Sequence, residues 1–187
     1  MPFAYPVFLD LARVPVLVVG GGTIALRKAC GLADAGAAVT VVAPSVVAEL
    51  AALAVGVERR AYVAGEAAGY QLVIAATDDP AVNAQVAADA KAARVWVNSA
   101  DDPDNCSFIL PAVARRGLVT VAVSTGGASP SLAGHLRTQI ERDVLTPAVE
   151  GAATELARQR AEIHAAGGST EAVPWAERVK TALDSSG

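Results

Sequence analysis

Three consecutive glycines follow an apolar run near the N-terminus, and their spacing suits the binding of a pyrophosphate. Residues 16–19 are Val-Leu-Val-Val, and helix-compatible residues follow the glycines. Gly20, Gly22 and Ala25 are spaced as G-x-G-x-x-A, which permits a sharp turn, close approach of a phosphate to the backbone, and tight helix packing. Free N–H groups at the start of the helix would hold the phosphates. The stretch therefore predicts a dinucleotide-binding turn, although glycine turns of this kind are also common as purely structural features.

Carboxylates follow a second apolar run. Residues 71–76 predict a strand buried on both faces, and Thr77, Asp78 and Asp79 come directly after it. Parallel α/β sheets bind ligands at the carboxyl ends of their strands, so these polar groups are placed to contact a cofactor. A helix is predicted over residues 80–93, and the two acids are equally well suited to capping it. Both interpretations stay open.

A third polar segment spans residues 98–108 and follows a short strand predicted at 94–97. It contains Asp101, Asp102 and Asp104. We expect this loop at the same sheet edge as the glycine turn, where its carboxylates can face whatever the nicotinamide end of a cofactor faces. Loops rich in Asp, Asn and Pro are most often simple turns, so the residues alone select no single acid.

The elements that must position these groups alternate between strands and helices. A helix is predicted over residues 23–35, ended by Gly36, and a strand over 39–42 completes a βαβ unit with a right-handed crossover. A helix at 46–53 and a strand at 57–60 continue the series. This alternation predicts a Rossmann-type parallel sheet and an α/β fold.

The second predicted strand lacks the acidic residue that usually receives a ribose. It runs into Ala43, Pro44 and Ser45, whereas many dinucleotide folds place Asp or Glu there, or an Arg for a 2′-phosphate. We expect backbone groups and the Ser45 hydroxyl to contact the ribose. The residues alone leave NAD and NADP both open.

The alternation stops near residue 110, where we place a domain boundary. Residues 112–123 predict a hairpin with its turn at Arg116-Gly117. Ser129 and Pro130 are then the expected N-cap and first residue of a helix that reaches about residue 145.

Pro147 is expected to stop that helix, and two more helices are predicted at 148–166 and 173–183. Glu155, Arg158 and Glu162 are expected in solvent, whereas Trp175 and Val179 are expected to pack. Short helices bury little area alone, so these two are expected to cover either a partner subunit or the hairpin domain, and a homodimer is the expected assembly.

Composition narrows the classes of function. The chain has 187 residues, 53% of them hydrophobic, and a net charge of −4, which argues against generic binding to nucleic acid or anionic membranes. Cys30 and Cys106 show no metal-ligand or disulfide spacing, and Cys30 is expected in the core. A cytoplasmic location is expected, because no leader pattern and no apolar run of membrane-spanning length is present.

An ordered set of motifs across residues 6–142 resembles the precorrin-2 dehydrogenase family, which also forms the dehydrogenase and ferrochelatase half of siroheme synthase. Each motif is weak alone, but their order is specific. The motifs are Pro6-Val7-Phe8, Val18-Val19-Gly20-Gly21-Gly22, Arg27-Lys28-Ala29, Ile74-Ala75-Ala76-Thr77-Asp78-Asp79, Asn98 with Asp101, Ser107-Phe108-Ile109, and residues 121–130.

The resemblance implies a Rossmann domain at 1–110 that binds NAD, a small β-hairpin-plus-helix dimerisation domain at 111–146, and a C-terminal helical domain at 147–187. It implies oxidation of the tetrapyrrole precorrin-2 to sirohydrochlorin with reduction of NAD, because the family uses NAD despite lacking the ribose-binding acid. Insertion of a ferrous or cobaltous ion into the product stays open, since some members of the family only dehydrogenate.

The same resemblance implies roles for individual residues, with Asp101 as the base in preference to Asp102 and Asp104. The implied cofactor contacts are Gly20, Gly22, Thr23, Ile24, Pro44, Ser45, Ala76, Thr77 and Asp78. Guanidinium groups are natural clamps for the substrate's carboxylates. The candidate substrate contacts are Asn98, Ser124, Thr125, Arg115, Arg116 and Arg137.

Two departures from the family pattern bear on metal insertion. Thr125 stands where siroheme synthases usually have serine, and the Gly134-His135 pair is not expected of the bifunctional enzymes. No resident metal is predicted. His135 and Asp101 are the candidates for transient metal handling, although a lone helical histidine is more often structural.

Two other classes of function are weighed against this one. A nucleotide-sensing regulatory module would bind NAD or NADH at the same glycine turn, but it would not need the polar loops at 98–107 and 124–130. A methyltransferase that uses S-adenosylmethionine is disfavoured, because no suitable residue ends the second predicted strand to hold the ribose.

Overall fold

The computed structural model describes residues 5–171 and 173–185, and the chain divides into one unit up to Leu110 and another from Pro111 onward. The first unit is an α/β domain, and the second combines a hairpin with three helices. No helix within the described residues combines the length and the apolar character needed to cross a membrane. The predicted α/β class is confirmed.

The first unit is built on a parallel sheet flanked by helices. Its strands are β1 (Pro15–Val19), β2 (Ala38–Val42), β3 (Gly56–Glu58), β4 (Leu72–Ala75) and β5 (Trp96–Ser99), and its helices are α1 (Thr23–Asp34), α2 (Ala48–Leu53) and α3 (Pro80–Ala92). The strand order is β3-β2-β1-β4-β5, with every pairing parallel. Val16 of β1 pairs with Val39 of β2 on one side and Leu72 of β4 on the other. The order therefore reverses at β1, where open parallel sheets bind ligands.

Strand β1 is apolar at every position after its first residue because both faces of the sheet are covered. Val16 and Val18 pack in the layer that includes α1 and α2, whereas Leu17 and Val19 pack in the layer that includes α3. All four residues are almost completely buried. Complete burial of a Val or Leu side chain contributes about 1.5–3 kcal/mol, so this strand fixes the position of the glycine turn that follows it.

The second unit begins with an antiparallel hairpin, β6 (Ala112–Arg116) and β7 (Val119–Val123). Helix α4 (Pro130–Asp143) packs against both strands, with the buried Ala133 on the helix and the buried Ala114 on the hairpin. Helices α5 (Pro147–Ala165) and α6 (Trp175–Ser185) pack against each other. The predicted capping role of Ser129 is correct, because its side chain accepts a hydrogen bond from the Leu132 N–H.

Two strand predictions were displaced along the chain. The strand expected at 94–97 is Trp96–Ser99, so Asn98 and Ser99 lie in β5 and the loop begins at Ala100. Asn98 and Ser99 are polar yet buried. The Asn98 side-chain amide hydrogen-bonds inside the protein, whereas Ser99 does so through its backbone N–H and its buried hydroxyl has no hydrogen-bond partner among the described residues. The strand expected at 57–60 is shorter and ends at Glu58.

Predictions for three other positions were also wrong. Pro147 begins α5, because proline is tolerated in the first helical turn. It does not end α4, which stops at Asp143. Val179 is 39% exposed, and Ala182 is the buried residue of α6. Cys30 is half-buried rather than fully in the core. The solvated face of α5 was predicted correctly, with Arg158 between Glu155 and Glu162.

Candidate functional site

The three glycines after β1 meet different constraints. Gly20 has φ +125°, and a Cβ atom there would lie 2.2 Å from the Ala76 carbonyl oxygen. A Cβ atom on Gly21 would lie 1.8 Å from the Ser45 carbonyl oxygen, whereas one on Gly22 would meet nothing within 4 Å. The fold itself therefore requires glycine at positions 20 and 21, and the space beside Gly22 is open. The requirement at Gly21 was missed, because it arises from a chain segment that the local pattern does not show.

The N-terminus of α1 is suited to binding a phosphate. Gly22 is the N-cap residue and offers no side chain to its helix, and no other side chain of the described residues caps it. The first N–H groups of a helix have no intrahelical acceptor. Thr23 and Ile24 are exposed at this end, with Ile24 42% exposed although it is apolar. Open space, free amides and an exposed apolar side chain fit the pyrophosphate and an adjoining ring of a dinucleotide.

Two further segments border the glycine turn. Pro44 and Ser45 are exposed just after β2, and Ala76-Thr77-Asp78 follows β4. Because β2 and β4 are the two neighbours of β1, these segments and the turn meet at one edge of the sheet. The carboxylate at the end of the next strand, Glu58 of β3, accepts a hydrogen bond from Arg60 at 2.9 Å.

A buried asparagine fixes the segment after β4. The Asn83 amide oxygen accepts hydrogen bonds from the Thr77 N–H at 3.0 Å and the Thr77 hydroxyl at 2.8 Å, and its amide nitrogen donates to the Thr77 carbonyl at 3.1 Å. The Asp79 carboxylate accepts from the Ala81 N–H at 2.8 Å and caps α3. Asp78 is exposed beside it. Asn83 was missed, because an asparagine in a helical pattern carries no distinctive signal.

The loop after β5 presents Asp101 to solvent. Asp101 has φ +57°, a left-handed conformation that Asp tolerates better than most residues. The loop is held at both ends, because the Ala100 N–H donates to the Ala75 carbonyl and the Ser107 N–H donates to the Val97 carbonyl, each at 2.8 Å. Asp101 is therefore an exposed carboxylate on an anchored loop, one strand beyond β4.

A thiol fills the inside of this loop. The Cys106 sulfur accepts a hydrogen bond from the Ser99 N–H at 3.2 Å and lies 3.3 Å from both the Ser99 and the Asp102 carbonyl oxygens. Burial raises the pKa of the Cys106 thiol, so it is protonated at neutral pH and can donate to one of these carbonyls. Cys106 is thus part of the loop's internal framework.

A lysine from α1 reaches the same strand end. The Lys28 ammonium donates to the Asn98 side-chain oxygen at 2.8 Å, and the Asn98 amide nitrogen donates to the Phe108 carbonyl at 3.0 Å. Asn98 is 5% exposed, so both ends of its amide are engaged inside the protein. Its contact with substrate stays a prediction, and in the structure its side chain contacts Lys28 and Phe108. Desolvation by burial lowers the pKa of Lys28.

The remaining candidates lie in the second unit. The Thr125 hydroxyl donates to the Ser129 carbonyl and accepts from the Ser129 N–H, each at 3.0 Å, while the Ser124 hydroxyl accepts from the Gly126 N–H. Both hydroxyls therefore shape the loop before α4.

The predicted arginine clamps are accessible on the same unit. Arg115 is exposed on β6, Arg116 lies 3.5 Å from Glu150, and Arg137 lies 3.2 Å from Glu141. Both ion pairs are partly exposed and therefore weak, so either guanidinium can exchange its partner for an anionic ligand at small cost.

The described residues contain no group of three or more His, Cys, Asp and Glu side chains placed to hold a metal ion. His135 lies exposed on α4.

Comparison with known proteins identifies the family. A family model described as putative NAD(P)-binding matches residues 7–112, and one described as sirohaem biosynthesis protein central matches residues 116–143. Siroheme synthase from Methylococcus capsulatus is 51% identical over 140 residues, which is 73% of this chain and 30% of that protein. Siroheme synthase from Azotobacter vinelandii is 47% identical over 166 residues, 84% of this chain and 35% of that protein.

A solved structure titled SirC, precorrin-2 dehydrogenase, aligns with a TM-score of 0.72 and 30% identity, covering 97% of this chain and 88% of that one. The chain spans about a third of the length of the siroheme synthases, whereas it spans most of the SirC chain. The NAD(P)-binding match covers the unit that carries the open glycine turn. The chain belongs to the precorrin-2 dehydrogenase family, the family that also includes the corresponding part of siroheme synthase.

Proposed function

We propose that this protein oxidises precorrin-2 to sirohydrochlorin with NAD as the oxidant, a step in siroheme or cobalamin synthesis. The proposal rests on the groups that the structure places at one edge of the parallel sheet. The uncapped glycine turn after β1 and the exposed Asp101 after β5 both lie there, on either side of β4. A cofactor that binds along this edge extends from its phosphates toward a carboxylate.

Different residues at this edge contact different parts of the dinucleotide. Gly22, Thr23 and Ile24 hold the pyrophosphate through backbone N–H groups, and the exposed Pro44 and Ser45 contact a ribose. Gly20 contributes the sharp turn that brings the backbone to the phosphates, because its own N–H donates to the Val42 carbonyl at 3.0 Å. The segment Ala76-Thr77-Asp78 lines the cofactor, kept in place by Asn83. NAD is favoured over NADP, because residues 43–45 hold no cation for a 2′-phosphate.

The reaction removes one hydride and one proton from the macrocycle. NAD, when bound, accepts the hydride at its nicotinamide ring. Asp101 accepts the proton at a carboxylate oxygen and returns it to solvent, which its exposure allows. Two electrons and one proton thus leave with the cofactor, one proton leaves through Asp101, and the conjugation of the ring is extended.

The substrate carries several carboxylates, so cations and hydroxyls of the second unit are its proposed contacts. Arg115, Arg116 and Arg137 are the clamps, with Ser124 and Thr125 in the loop before α4. Asn98 stays a predicted substrate contact of the first unit, although its buried amide is engaged by Lys28 and Phe108. Bidentate guanidinium groups suit carboxylates better than lysine does.

The direct test is an anaerobic assay of the purified protein with precorrin-2 and NAD, followed by absorbance. We expect the sirohydrochlorin spectrum to develop together with NADH. Asp101→Asn removes the base, and Asn tolerates the left-handed backbone at this position. We expect a loss of at least about 100-fold in kcat, with NADH affinity unchanged in a fluorescence titration. Asp104→Ala, in the same loop, is the matched control and should retain activity.

Retention of activity in Asp101→Asn would contradict the assignment of the base. Binding of NADH by the wild-type protein without any absorbance change on titration with a tetrapyrrole would contradict the proposed reaction and favour the nucleotide-sensing module.

We also propose that the functional assembly is a cytoplasmic homodimer, with residues 111–146 as the dimerisation domain and residues 147–187 as a helical domain. The two cysteines are free, which suits a reducing compartment.

A second assay distinguishes metal insertion from oxidation. It supplies the protein with sirohydrochlorin and ferrous or cobaltous ion, with and without NAD. Metal-dependent spectral change without NAD would show a chelatase, with His135 and Asp101 as the residues to replace first.

A further inference from the structure

We propose that Lys28 is a positioning residue for Asp101: its ammonium group fixes the Asn98 side chain, and Asn98 fixes the loop that carries Asp101. This inference rests on the proposed function for the role of Asp101, but it also predicts a structural effect that is measured without turnover. Lys28 and Asn98 are seventy residues apart in sequence and joined by a hydrogen bond of 2.8 Å.

The chemistry of lysine determines which way the Asn98 amide faces. An ammonium group has three donors and no acceptor, so only the side-chain oxygen of Asn98 can face it. The amide nitrogen is thereby turned toward the Phe108 carbonyl at 3.0 Å and the Cys106 sulfur at 3.6 Å. Since Asn98 is almost fully buried, solvent does not replace these partners.

The oriented amide ties the two ends of the loop together. Asn98 is in β5, just before the loop, and Phe108 lies on the returning chain, which the Ser107 hydroxyl and N–H also attach to Val97. Asp101 lies between these attachments in its left-handed conformation. If the amide rotates, the Phe108 carbonyl loses its donor and the loop loses one of its cross-ties.

The charges around Lys28 support the same role. Within the described residues Lys28 forms no salt bridge, although it is a half-buried cation. Burial lowers its pKa and the neighbouring Arg27 adds to this, while Cys106 and Asp101 oppose it. The Lys28 ammonium is therefore close enough to the Asp101 carboxylate to interact with it electrostatically.

The test compares Lys28→Met, which removes donor and charge, with Arg27→Met, which removes an exposed cation from the adjacent position of the same helix. In Lys28→Met we expect kcat to fall about 10- to 100-fold, as displacement of a catalytic group does, with NADH affinity within about 2-fold of wild type because the glycine turn is untouched. Lys28→Arg restores a donor and a charge and should recover part of kcat. Arg27→Met should behave as wild type.

A second variant tests whether Lys28 acts through Asn98. Once Asn98→Ala has removed the amide, adding Lys28→Met should cost little more, so the double variant should be about as slow as Asn98→Ala alone. Strictly additive losses would overturn the proposal, as would a kcat of Lys28→Met within about 2-fold of wild type or a parallel loss of NADH affinity.

Hydrogen exchange supplies the readout that needs no turnover. We expect peptides covering residues 99–108 to exchange about 10-fold faster in Lys28→Met than in wild type or Arg27→Met, since these amides depend on the loop's cross-ties. Unchanged exchange there would overturn the inference while leaving the proposed function intact. Faster exchange in a protein that does not oxidise precorrin-2 would support the positioning role and contradict only the proposed reaction.

Discussion

Gly20 and Gly22 belong to one motif but should respond to substitution in opposite ways. Gly20 has a positive φ and lies against the Ala76 carbonyl, whereas Gly22 has φ −91° and open space around the position of a Cβ. Gly22→Val is therefore expected to fold normally and to lower NADH affinity at least about 10-fold, because its side chain occupies the phosphate's place. Gly20→Val should lose stability by several kcal/mol, combining backbone strain of about 1–3 kcal/mol with overlap. Thermal unfolding and NADH fluorescence measure the two effects.

Thermal unfolding of each variant should be recorded before its titration, so that a loss of binding is not confused with a loss of fold. A stable Gly22→Val protein that binds NADH as tightly as wild type would show that the cofactor does not approach the backbone there. A stable Gly20→Val protein would show that the turn can rearrange.

At the residue scale, the sequence predicts groups whose role is local and misses groups whose role depends on distant partners. Gly20 and Gly22 follow from a spacing of a few residues. Lys28 and Gly21 do not, because their partners, Asn98 and Ser45, are brought close only by the completed sheet. Side-chain partners separated by several elements leave no periodic pattern in the chain.

At the element scale, the apolar runs predict the parallel sheet because strands covered on both faces must be apolar throughout. The displaced β5 shows where this signal fails. Its last two residues are the buried polar residues Asn98 and Ser99. The Asn98 amide donates to the Phe108 carbonyl, and the Ser99 backbone N–H donates to the Cys106 sulfur. A polar residue inside a strand is predicted as loop unless its partners are known, and those partners lie several residues beyond the strand.

The start of α3 carries one acid with a structural role and one with a proposed role in binding the cofactor. The Asp79 carboxylate caps the helix through the Ala81 N–H, whereas Asp78 is exposed at the proposed cofactor edge. Asp79→Ala is expected to lower the free energy of unfolding by about 1 kcal/mol, the usual value of an N-cap. Asp78→Ala should leave stability within about 0.5 kcal/mol and weaken NADH binding. Chemical denaturation and NADH titration on the same two proteins measure both quantities.

The assignment fails if the two variants exchange behaviour, so that Asp78→Ala unfolds more easily while Asp79→Ala binds NADH less tightly. If both variants weakened NADH binding equally, Asp79 would affect the cofactor indirectly, by positioning the segment after β4.

At the scale of the whole molecule, the division into two units follows from a change of pattern that the sequence displays. Strands and helices alternate up to Leu110 and stop alternating after it. What the sequence does not give is a partition of the second unit: α4 packs on the hairpin, α5 also contacts β7, and α5 packs on α6. Whether residues 111–146 and 147–187 act as separate domains stays a prediction.

The homodimer is a property of the whole molecule, and its interface is expected on the second unit. That unit exposes Leu118 at the tip of the hairpin, 68% exposed, together with Leu132 and Val144. In a two-fold symmetric dimer each residue of the interface is used twice, so one charged substitution removes two contacts. We expect the wild-type protein to sediment as a dimer at micromolar concentration and Leu118→Asp to weaken the dimer at least about 10-fold. Val55→Asp, which replaces an equally exposed valine of the first unit, is the control and should remain dimeric. If both variants sediment as wild type, Leu118 lies outside the interface. If the wild-type protein is a monomer, the proposed assembly is wrong.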